Sequence, residues 1–264
     1  SVADIIHKGG TILGTARSTE FKNLEGQKRG AQILRDYGIE GLIVIGGDGS
    51  YKGAKALSDL GINTIGIPGT IDNDMGYTDF TIGFFTAIET VTDAIGKLRD
   101  TSSSHGRAVV IEVMGRNCGD LALFSGLAGG AESIIVPEHK FSIDEIVEKV
   151  NHGRKRGKLH HLIVLAEGVG NPYTVAKEVE ERSGVETKVT VLGHVQRGGS
   201  PSSTDRLLGS IMGATAAELL NEEKTNIALG YTDGKITQVS LDEAVSIKGD
   251  FNEGLYELAN KLSK

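Results

Sequence analysis

Short apolar runs rich in β-branched residues recur along the chain and alternate with longer amphipathic stretches. Five runs are mostly apolar on both faces, which is typical of buried parallel strands: 41–45, 64–67, 108–113, 133–136 and 161–165. Helical periodicity marks residues 25–37, 52–60, 81–99, 142–154 and 205–220. Ser142 and Glu145 have the spacing of a capping box at the start of the fourth helix. The alternation predicts an α/β fold with parallel sheets covered on both faces.

The order of the strands favours two sheets. The runs at 41–45 and 64–67 belong to a first unit, and the three later runs belong to a second unit. The long helix at 81–99 would carry the chain from one unit to the other.

Composition narrows the classes of function. The chain has 264 residues, a net charge of −7 and a pI of about 5.6, which argues against a protein that coats nucleic acid or an anionic membrane. The single Cys118 excludes an intramolecular disulfide framework and fits a reducing cytosol. No run of 18 apolar residues and no signal-peptide pattern is present, so we expect a cytoplasmic protein without a membrane or nucleic-acid partner.

There are 37 glycines and only 4 prolines, and the glycines cluster after predicted strands. The first cluster is Gly46-Gly47-Asp48-Gly49-Ser50, with Gly53 behind it. Glycine lets backbone N–H groups close on phosphate oxygens, a helix N-terminus favours anions, and Asp48 could hold Mg²⁺ beside them. An ordinary strand–helix turn explains the same residues, and neither the P-loop nor the dinucleotide fingerprint is present.

The second cluster is Pro68-Gly69-Thr70-Ile71-Asp72-Asn73-Asp74. In an open α/β sheet it should reach the same carboxyl edge as Asp48. Asp72 and Asp74 would point to the same side if this segment is extended. A polar turn explains the Asn and Asp residues, but it does not explain why two strand ends both present acids and glycines.

Two later clusters add basic side chains. Arg116, in Met114-Gly115-Arg116, could hold a phosphate bidentately or pair with Asp120 on the surface. His194 and Arg197 lie three apart between glycines, which fits an anion site, although a lone histidine is more often structural.

Together the clusters combine acids with basic groups. The acids Asp48 and Asp72 suit metal binding and general-base duty. Basic groups that suit two phosphorylated ligands are Arg17, Arg107, Arg116, His194 and Arg197. Charge neutralisation, in-line placement and an acceptor for a hydroxyl proton are what phosphoryl transfer needs.

The four motifs resemble those of the bacterial ATP-dependent 6-phosphofructokinases. The matching segments are Gly46-Gly47-Asp48-Gly49-Ser50, Pro68-Gly69-Thr70-Ile71-Asp72-Asn73-Asp74, Met114-Gly115-Arg116 and Gly193-His194-Val195-Gln196-Arg197-Gly198-Gly199. The resemblance implies two three-layer αβα Rossmann-like domains with mainly parallel sheets and an active site in the cleft between them. It also implies a Mg²⁺-dependent glycolytic reaction, in which ATP and fructose 6-phosphate give ADP and fructose 1,6-bisphosphate.

The resemblance implies a role for each matching residue. Asp72 matches the family's base, which takes the proton from the sugar 1-hydroxyl, while Thr70 and Arg116 match groups beside the transferring phosphoryl. Asp48 matches the residue associated with Mg²⁺. Nucleotide contacts are matched by Arg17, Gly49, Ser50 and Gly53. Sugar-phosphate contacts are matched by Thr70, Asp72, Asp74, Arg107, Met114, Gly115, Arg116, Glu167, Lys188, His194 and Arg197.

An effector site and an assembly are implied in the same way. Arg107 matches an arginine that reaches the sugar phosphate of a neighbouring subunit, so we expect a homotetramer. A nucleoside diphosphate activates or phosphoenolpyruvate inhibits at a site matched by Asp4, Arg99, Glu132, Arg156 and Lys158. Without the resemblance, the basic residues between His152 and His161 would be interpreted as a solvated face. We expect residues 1–83 with 196–246 to bind ATP, and residues 84–195 with 247–264 to bind the sugar phosphate.

The chain departs from the family pattern in three places. The family begins with a further βα unit of roughly fifty residues, and this chain starts after it. The missing strand would leave an unpaired sheet edge, so we expect poor solubility or no activity of this chain alone. Lys188 stands where the family usually has Arg, which predicts weaker sugar-phosphate binding because the bidentate fork is lost. Phe85 stands where the family commonly has Asp.

The phosphoryl donor follows from two glycines. Pyrophosphate-using relatives tend to carry Asp at the position of Gly49 and Lys at the position of Gly69, so glycine at both indicates ATP. The alternatives are a pyrophosphate-dependent enzyme and a non-catalytic ligand-binding or assembly fragment.

Overall fold

The computed structural model describes residues 3–263, and within them two four-stranded sheets form. The strands are β1 (Gly41–Gly46), β2 (Asn63–Pro68), β3 (Ala108–Val113), β4 (Ser133–Ile135), β5 (His161–Ala166), β6 (Thr187–Val191), β7 (Ile227–Thr232) and β8 (Lys235–Ser240). The helices are α1 (Leu24–Asp36), α2 (Asp48–Asp59), α3 (Phe84–His105), α4 (Asp120–Ala128), α5 (Ile143–Lys155), α6 (Pro172–Ser183), α7 (Ser203–Asn221), α8 (Leu241–Ser246) and α9 (Glu253–Leu262). Short 3-10 turns cover Glu20–Lys22, Glu167–Val169 and Gly193–Arg197.

The predicted α/β fold with mainly parallel sheets is confirmed. Each of the five predicted strands and five predicted helices is present; β3 has the predicted ends, and the ends of the others are shifted. The predicted capping box is wrong: Ser142 is the N-cap of α5, but its side chain makes no capping hydrogen bond within the described structure.

The first unit consists of the residues up to Phe84 together with Ser200–Asp250. Its strands lie in the order β1-β2-β7-β8, parallel except for the antiparallel β7–β8 pair. Met212 of α7 packs with Ile65 and Leu229 on one face of the sheet. Tyr51 of α2 packs with residues of β7 and α8 on the other. Helices therefore cover both faces, and β1 is left at the sheet edge.

The second unit consists of Phe85–Gly199 together with the residues from Phe251 onward. Its strands lie in the order β4-β5-β3-β6, and every pair is parallel. β5 is buried along its whole length. Ile163 faces α5 and α6, whereas Val164 faces α4, where a Cβ on Gly126 would come within 3.5 Å of it. The alternation of β5 side chains thus buries both faces of the central strand.

The boundaries of the two compact units and the predicted domain boundaries differ by a few residues. The predicted joins follow residues 83, 195 and 246, and the two compact units are divided after Phe84, Gly199 and Asp250. Which ligand each unit binds, and whether the active site lies in a cleft between them, stay predictions. In the described range 3–263 no helix is long and apolar enough to cross a membrane.

Candidate active site

The ends of β1 and β2 bring the first two glycine clusters side by side. Gly46 and Pro68 are register partners, and the N–H of Gly69 donates to the carbonyl oxygen of Gly46 at 3.1 Å. A Cβ on Gly47 would lie 3.6 Å from Cβ of Thr70. Both clusters therefore share the carboxyl edge of the first sheet, where open α/β sheets place their ligands.

The glycine turn after β1 opens α2. The N–H groups of Ser50 and Tyr51 donate to the carbonyl oxygen of Gly47 at 2.9 and 3.1 Å. Asp48 begins the helix, and its half-exposed carboxylate lies 2.7 Å from Nζ of Lys52. A Cβ on Gly49 would meet no atom within 4 Å, so the space beside the first helical turn is open.

Asp48 fits a metal ion that arrives with a substrate. Mg²⁺ commonly takes one or two carboxylates and completes its shell with substrate phosphates and water. Among residues 3–263 no group of three or more His, Cys, Asp or Glu side chains could hold a metal ion. A metal ion at Asp48 would therefore have to take most of its ligands from a bound molecule or from water.

The loop after β2 buries one carboxylate. Asp72 is only 6% exposed, and its N–H donates to Oγ1 of Thr70 at 3.2 Å. Asn73 has a left-handed φ of +52°, so the segment is bent. The condition under which Asp72 and Asp74 would point to the same side, an extended segment, is therefore not met.

Two residues brace this loop: Asn73, which the sequence analysis explained only as part of a polar turn, and Thr81, which it missed. Oδ1 of Asn73 accepts from the N–H of Thr81 at 3.0 Å, and Nδ2 donates to the carbonyl oxygen of Asp79 at 3.1 Å. Buried Thr81 donates from Oγ1 to the carbonyl oxygen of Thr70 at 2.6 Å. The available signal was Asn73 itself, since asparagine tolerates a left-handed φ and closes polar turns.

The other predicted nucleotide contacts are Ser50, Gly53 and Arg17, of which the first two belong to the helix that starts at this edge. Ser50 is exposed in the first turn of α2. A Cβ on Gly53 would lie 3.4 Å from the ring of Phe21. Arg17 lies in an exposed irregular segment before the first 3-10 turn, and no described contact joins it to the cluster.

The carboxyl edge of the second sheet gathers the third and fourth clusters. The N–H of Met114 donates to Oε1 of Gln196 at 3.1 Å. The N–H of Arg116 donates to Oε1 of Glu167 at 2.8 Å, which joins the ends of β3 and β5. Gly115 has a φ of +127°, and a Cβ there would lie 2.5 Å from the carbonyl oxygen of Cys118, so the tight turn requires glycine.

This edge presents basic side chains beside two carboxyl groups. Arg116, His194 and Arg197 are exposed. Burial, and then the charge of Glu167, raise the pKa of Glu112. The arrangement suits an anionic ligand that also offers hydroxyl groups, because arginine pairs with phosphate and carboxylates accept hydroxyl protons.

Two predicted sugar-phosphate residues lie at the opposite end of the same sheet. Nε of Arg107 is 2.5 Å from Oε2 of Glu186, and Nζ of Lys188 is 2.7 Å from Oε1 of the same carboxylate. Both cations, Lys188 more strongly, hold the pKa of Glu186 below its usual value. About seven residues of strand, or about 20 Å, separate Arg107 from Met114. Within one chain, Arg107 and Lys188 are thus not brought to the carboxyl edge.

Three of the predicted effector residues meet in the second unit. Buried Glu132 accepts the N–H of Leu162 at 2.6 Å and forms an ion pair with Lys158. Arg99 donates to the carbonyl oxygens of Gly129 and Gly130. Its charge and that of Lys158 act on His160, whose Nε2 is 3.7 Å from Glu132; burial is the main cause that lowers the pKa of His160.

The two remaining predicted effector residues are Arg156 and Asp4. Arg156 is the C-cap of α5, next to this cluster in sequence. Asp4 belongs to the first unit, where its carboxylate is 3.7 Å from Nδ1 of His7. His160 was missed as an individual residue, because only its place in a basic stretch was visible in the sequence.

The carboxyl edge of the first sheet carries acids and glycines, and that of the second carries basic groups. This combination is typical of proteins that bind phosphorylated ligands. The phosphofructokinase family model matches residues 1–220, and the chain belongs to this family. The ATP-dependent 6-phosphofructokinase of Finegoldia magna is 67% identical over 263 residues, covering all of this chain and 82% of that protein. The enzyme of the same name from Clostridium tetani is 62% identical with the same coverage. These relatives are longer than this chain.

Solved structures show the same fold. Phosphofructokinase from Saccharomyces cerevisiae matches with a TM-score of 0.88 and 33% identity, covering 98% of this chain and 42% of that chain. A pyrophosphate-dependent phosphofructokinase from Marinobacter aquaeolei matches with a TM-score of 0.81 and 22% identity, covering 96% of this chain and 74% of that chain. The second match shows the fold alone.

Proposed function

We propose that this chain transfers the γ-phosphoryl group of MgATP to the 1-hydroxyl of fructose 6-phosphate. The products are ADP and fructose 1,6-bisphosphate. The observation that carries this proposal is buried Asp72, which follows β2 beside the glycine turn that opens α2. A sheltered carboxylate at a phosphate-binding edge suits a general base. The names of the relatives support ATP as donor and the sugar phosphate as acceptor.

The proposed transfer needs one proton acceptor and charge neutralisation. The sugar 1-oxygen forms a bond to the γ-phosphorus as its O–H bond breaks, and the bond from phosphorus to the bridging oxygen breaks to release ADP. Asp72 accepts the hydroxyl proton and later returns it to solvent. Thr70 and Arg116 stabilise the transferring phosphoryl, for which the guanidinium fork is suited.

The nucleotide is assigned to the first unit. The Gly46-Gly47-Asp48-Gly49-Ser50 turn and the start of α2 offer backbone N–H groups to phosphates. Magnesium bound to ATP would be held by Asp48 and would neutralise phosphate charge. The open space beside Gly49 leaves room for the nucleotide.

A second glycine supports ATP over pyrophosphate. A Cβ on Gly69 would lie 2.9 Å from Cγ2 of Ile45 and 3.4 Å from the nitrogen of Gly46. A lysine there, as in pyrophosphate-using relatives, would require the side chain of Ile45 to move. This crowding makes the pyrophosphate-dependent alternative the weaker one.

The sugar phosphate is assigned to the second unit and to a neighbouring copy. Met114, Gly115, Glu167, His194 and Arg197 act from the carboxyl edge. Arg107 and Lys188 lie about 20 Å away along the sheet, so we assign them to the site of a neighbouring subunit. This division of the site supports an assembly of several copies, and we propose, from the family resemblance, that the assembly is a cytoplasmic homotetramer.

The test is a coupled turnover assay of this chain with fructose 6-phosphate and either MgATP or pyrophosphate, read beside the intact mass. Turnover with MgATP alone at a mass of 27.9 kDa supports the proposal. Turnover with pyrophosphate alone would transfer the assignment to the pyrophosphate-dependent class. Fructose 6-phosphate binding without turnover from either donor would support the non-catalytic fragment.

We also propose that Arg99, Glu132 and Lys158, with Arg156 and Asp4, form an effector site for a nucleoside diphosphate or phosphoenolpyruvate. Lys158→Met should change the half-saturating concentration of ADP or phosphoenolpyruvate at least about threefold, because it removes a cation that would pair with phosphate. The rate without effector should stay the same. Lys155→Met, an exposed lysine of α5, is the matched control. Equal loss of basal rate and effector response would contradict a separate site.

A further inference from the structure

Gln196 belongs to the same 3-10 turn as His194 and Arg197. Its side chain is buried, with 1% of the residue exposed, whereas both basic neighbours are exposed. Oε1 accepts from the N–H of Met114 at 3.1 Å, and Nε2 donates to the carbonyl oxygen of Gly193 at 2.9 Å. One carboxamide therefore joins the end of β3 to the start of the turn that follows β6.

The two hydrogen bonds act where the strand ladder ends. Leu192 makes the last described backbone bond to β3, donating to the carbonyl oxygen of Glu112 at 3.1 Å. The chain then enters a 3-10 turn in which Gly193 has a φ of +56°. Beyond Leu192, the described hydrogen bond between Met114 and the Gln196 side chain fixes the position of the turn relative to the end of β3.

Glutamine suits this position for a chemical reason. A carboxamide can accept from an N–H and donate to a carbonyl at once, whereas an apolar side chain of similar size would satisfy neither of these backbone groups, of which the Met114 N–H is buried. An apolar side chain that only filled the space would not fix the rotation of the turn. The direction of the two exposed basic side chains would then not be fixed either.

We infer that Gln196 is a positioning residue for the sugar-phosphate site: it holds the Met114 backbone and the His194–Arg197 turn in one fixed arrangement. It touches no substrate and acts through those neighbours. This inference rests on the proposed function, because that proposal assigns Met114, His194 and Arg197 to the sugar phosphate.

The test compares Gln196→Met, which removes both hydrogen bonds, with Gln196→Glu, which keeps the acceptor for Met114 but removes the donor to Gly193. Gln238→Met, on the exposed side of β8, makes the same chemical change away from the site. Dissociation constants for fructose 6-phosphate come from calorimetry, KM values for both substrates and kcat from the coupled assay, and foldedness from melting temperature.

Gln196→Met should raise the KM and the dissociation constant for fructose 6-phosphate about tenfold, because two hydrogen bonds are lost. Gln196→Glu should raise both by a smaller factor. The KM for ATP should change less than about twofold in either variant, and Gln238→Met should match the wild type.

Three results would overturn the inference: fructose 6-phosphate binding by folded variants that equals the control, parallel loss of ATP and sugar-phosphate affinity, or unfolding of both variants. The last two would mean that Gln196 supports the fold in general. Failure of the wild-type chain to bind or turn over fructose 6-phosphate is a different outcome and would overturn the proposed function instead.

Discussion

Asp72 is the residue on which the proposed reaction depends most directly. Asp72→Asn preserves the size of the side chain, but an amide cannot accept the hydroxyl proton. We expect kcat to fall at least about 100-fold while both KM values stay within about threefold. Asp59→Asn, which alters an exposed pair with Lys55, is the control. An unchanged kcat in steady-state assays would show that Asp72 is not the base.

Gly49 allows a second prediction at the same scale. An aspartate at this position meets no protein atom at Cβ, and an acid in the first turn of a helix is favourable, so the fold should tolerate Gly49→Asp. The new carboxylate would occupy the nucleotide space and repel phosphate. We expect the KM for ATP to rise at least about tenfold, or about 1.4 kcal/mol.

The matched control is Gly96→Asp, since a Cβ on Gly96 in α3 also meets nothing within 4 Å. Equal KM values for ATP in Gly49→Asp and Gly96→Asp would remove Gly49 from the nucleotide site.

Single residues differed in how far the sequence could identify them. Asp72 and Arg116 stand inside short motifs whose residue types suggested general-base duty and phosphate binding, whereas the role of Thr70 came from the family resemblance. Gln196 depends on Met114, 82 positions earlier, and such a pairing exists only once β3 and β6 lie side by side. A sequence motif reveals functional residues that lie close together in sequence. It does not reveal a residue that acts through a partner far away in the sequence.

At the scale of elements, strands with long apolar runs were predicted most easily, although the half-buried edge strand β1 was found and the more buried β7 was missed. β3 and β5 are long apolar runs and were found from sequence. β6 has polar residues and lies at a sheet edge, and β8 contains no fully buried position, so neither stood out. Asp233 and Gly234, both at positive φ, form the hairpin turn between β7 and β8. An Asp-Gly pair in the sequence indicates such a hairpin, and the sequence analysis did not use it.

The first residue of β5 supports a prediction about pH. Burial lowers the pKa of His161 from 6.5 to about 4, opposed by Glu132 and aided by Lys158, Lys149 and His160. Between these values the unfolded chain binds a proton that the folded chain does not, so stability falls as the pH falls from about 6.5 towards 4. From pH 7 to pH 5, His161 should contribute a loss of about 2 kcal/mol in the free energy of unfolding.

Urea unfolding of His161→Gln at both pH values checks this prediction. The variant should lose less stability than the wild type on acidification, whereas His152→Gln, which alters an exposed histidine of α5, should lose as much as the wild type. The same loss in His161→Gln as in the wild type would assign the pH dependence to other groups.

At the scale of the whole molecule, the second sheet carries sugar-phosphate residues at both of its ends. Arg107 and Met114 lie only seven positions apart, but the predicted strand at 108–113 already separates them. The six-residue strand between them places one at the amino end and the other at the carboxyl end. Glu186 pairs with both Arg107 and Lys188 there, so these two cations form one group at the end of the sheet opposite Met114.

A mixture of two inactive variants tests whether that group serves a neighbouring copy. Arg107→Ser removes the cation that a subunit would donate, and Asp72→Asn removes the base of its own site. In a randomly mixed homo-oligomer, a site with an intact Asp72 from one subunit and an intact Arg107 from the next forms with a probability of about a quarter. Mixing after reversible dissociation should therefore restore up to about a quarter of wild-type kcat at saturating fructose 6-phosphate. If Arg107 acted only within its own chain, no mixture would exceed the activity of the separate variants, because every subunit would still carry one defect.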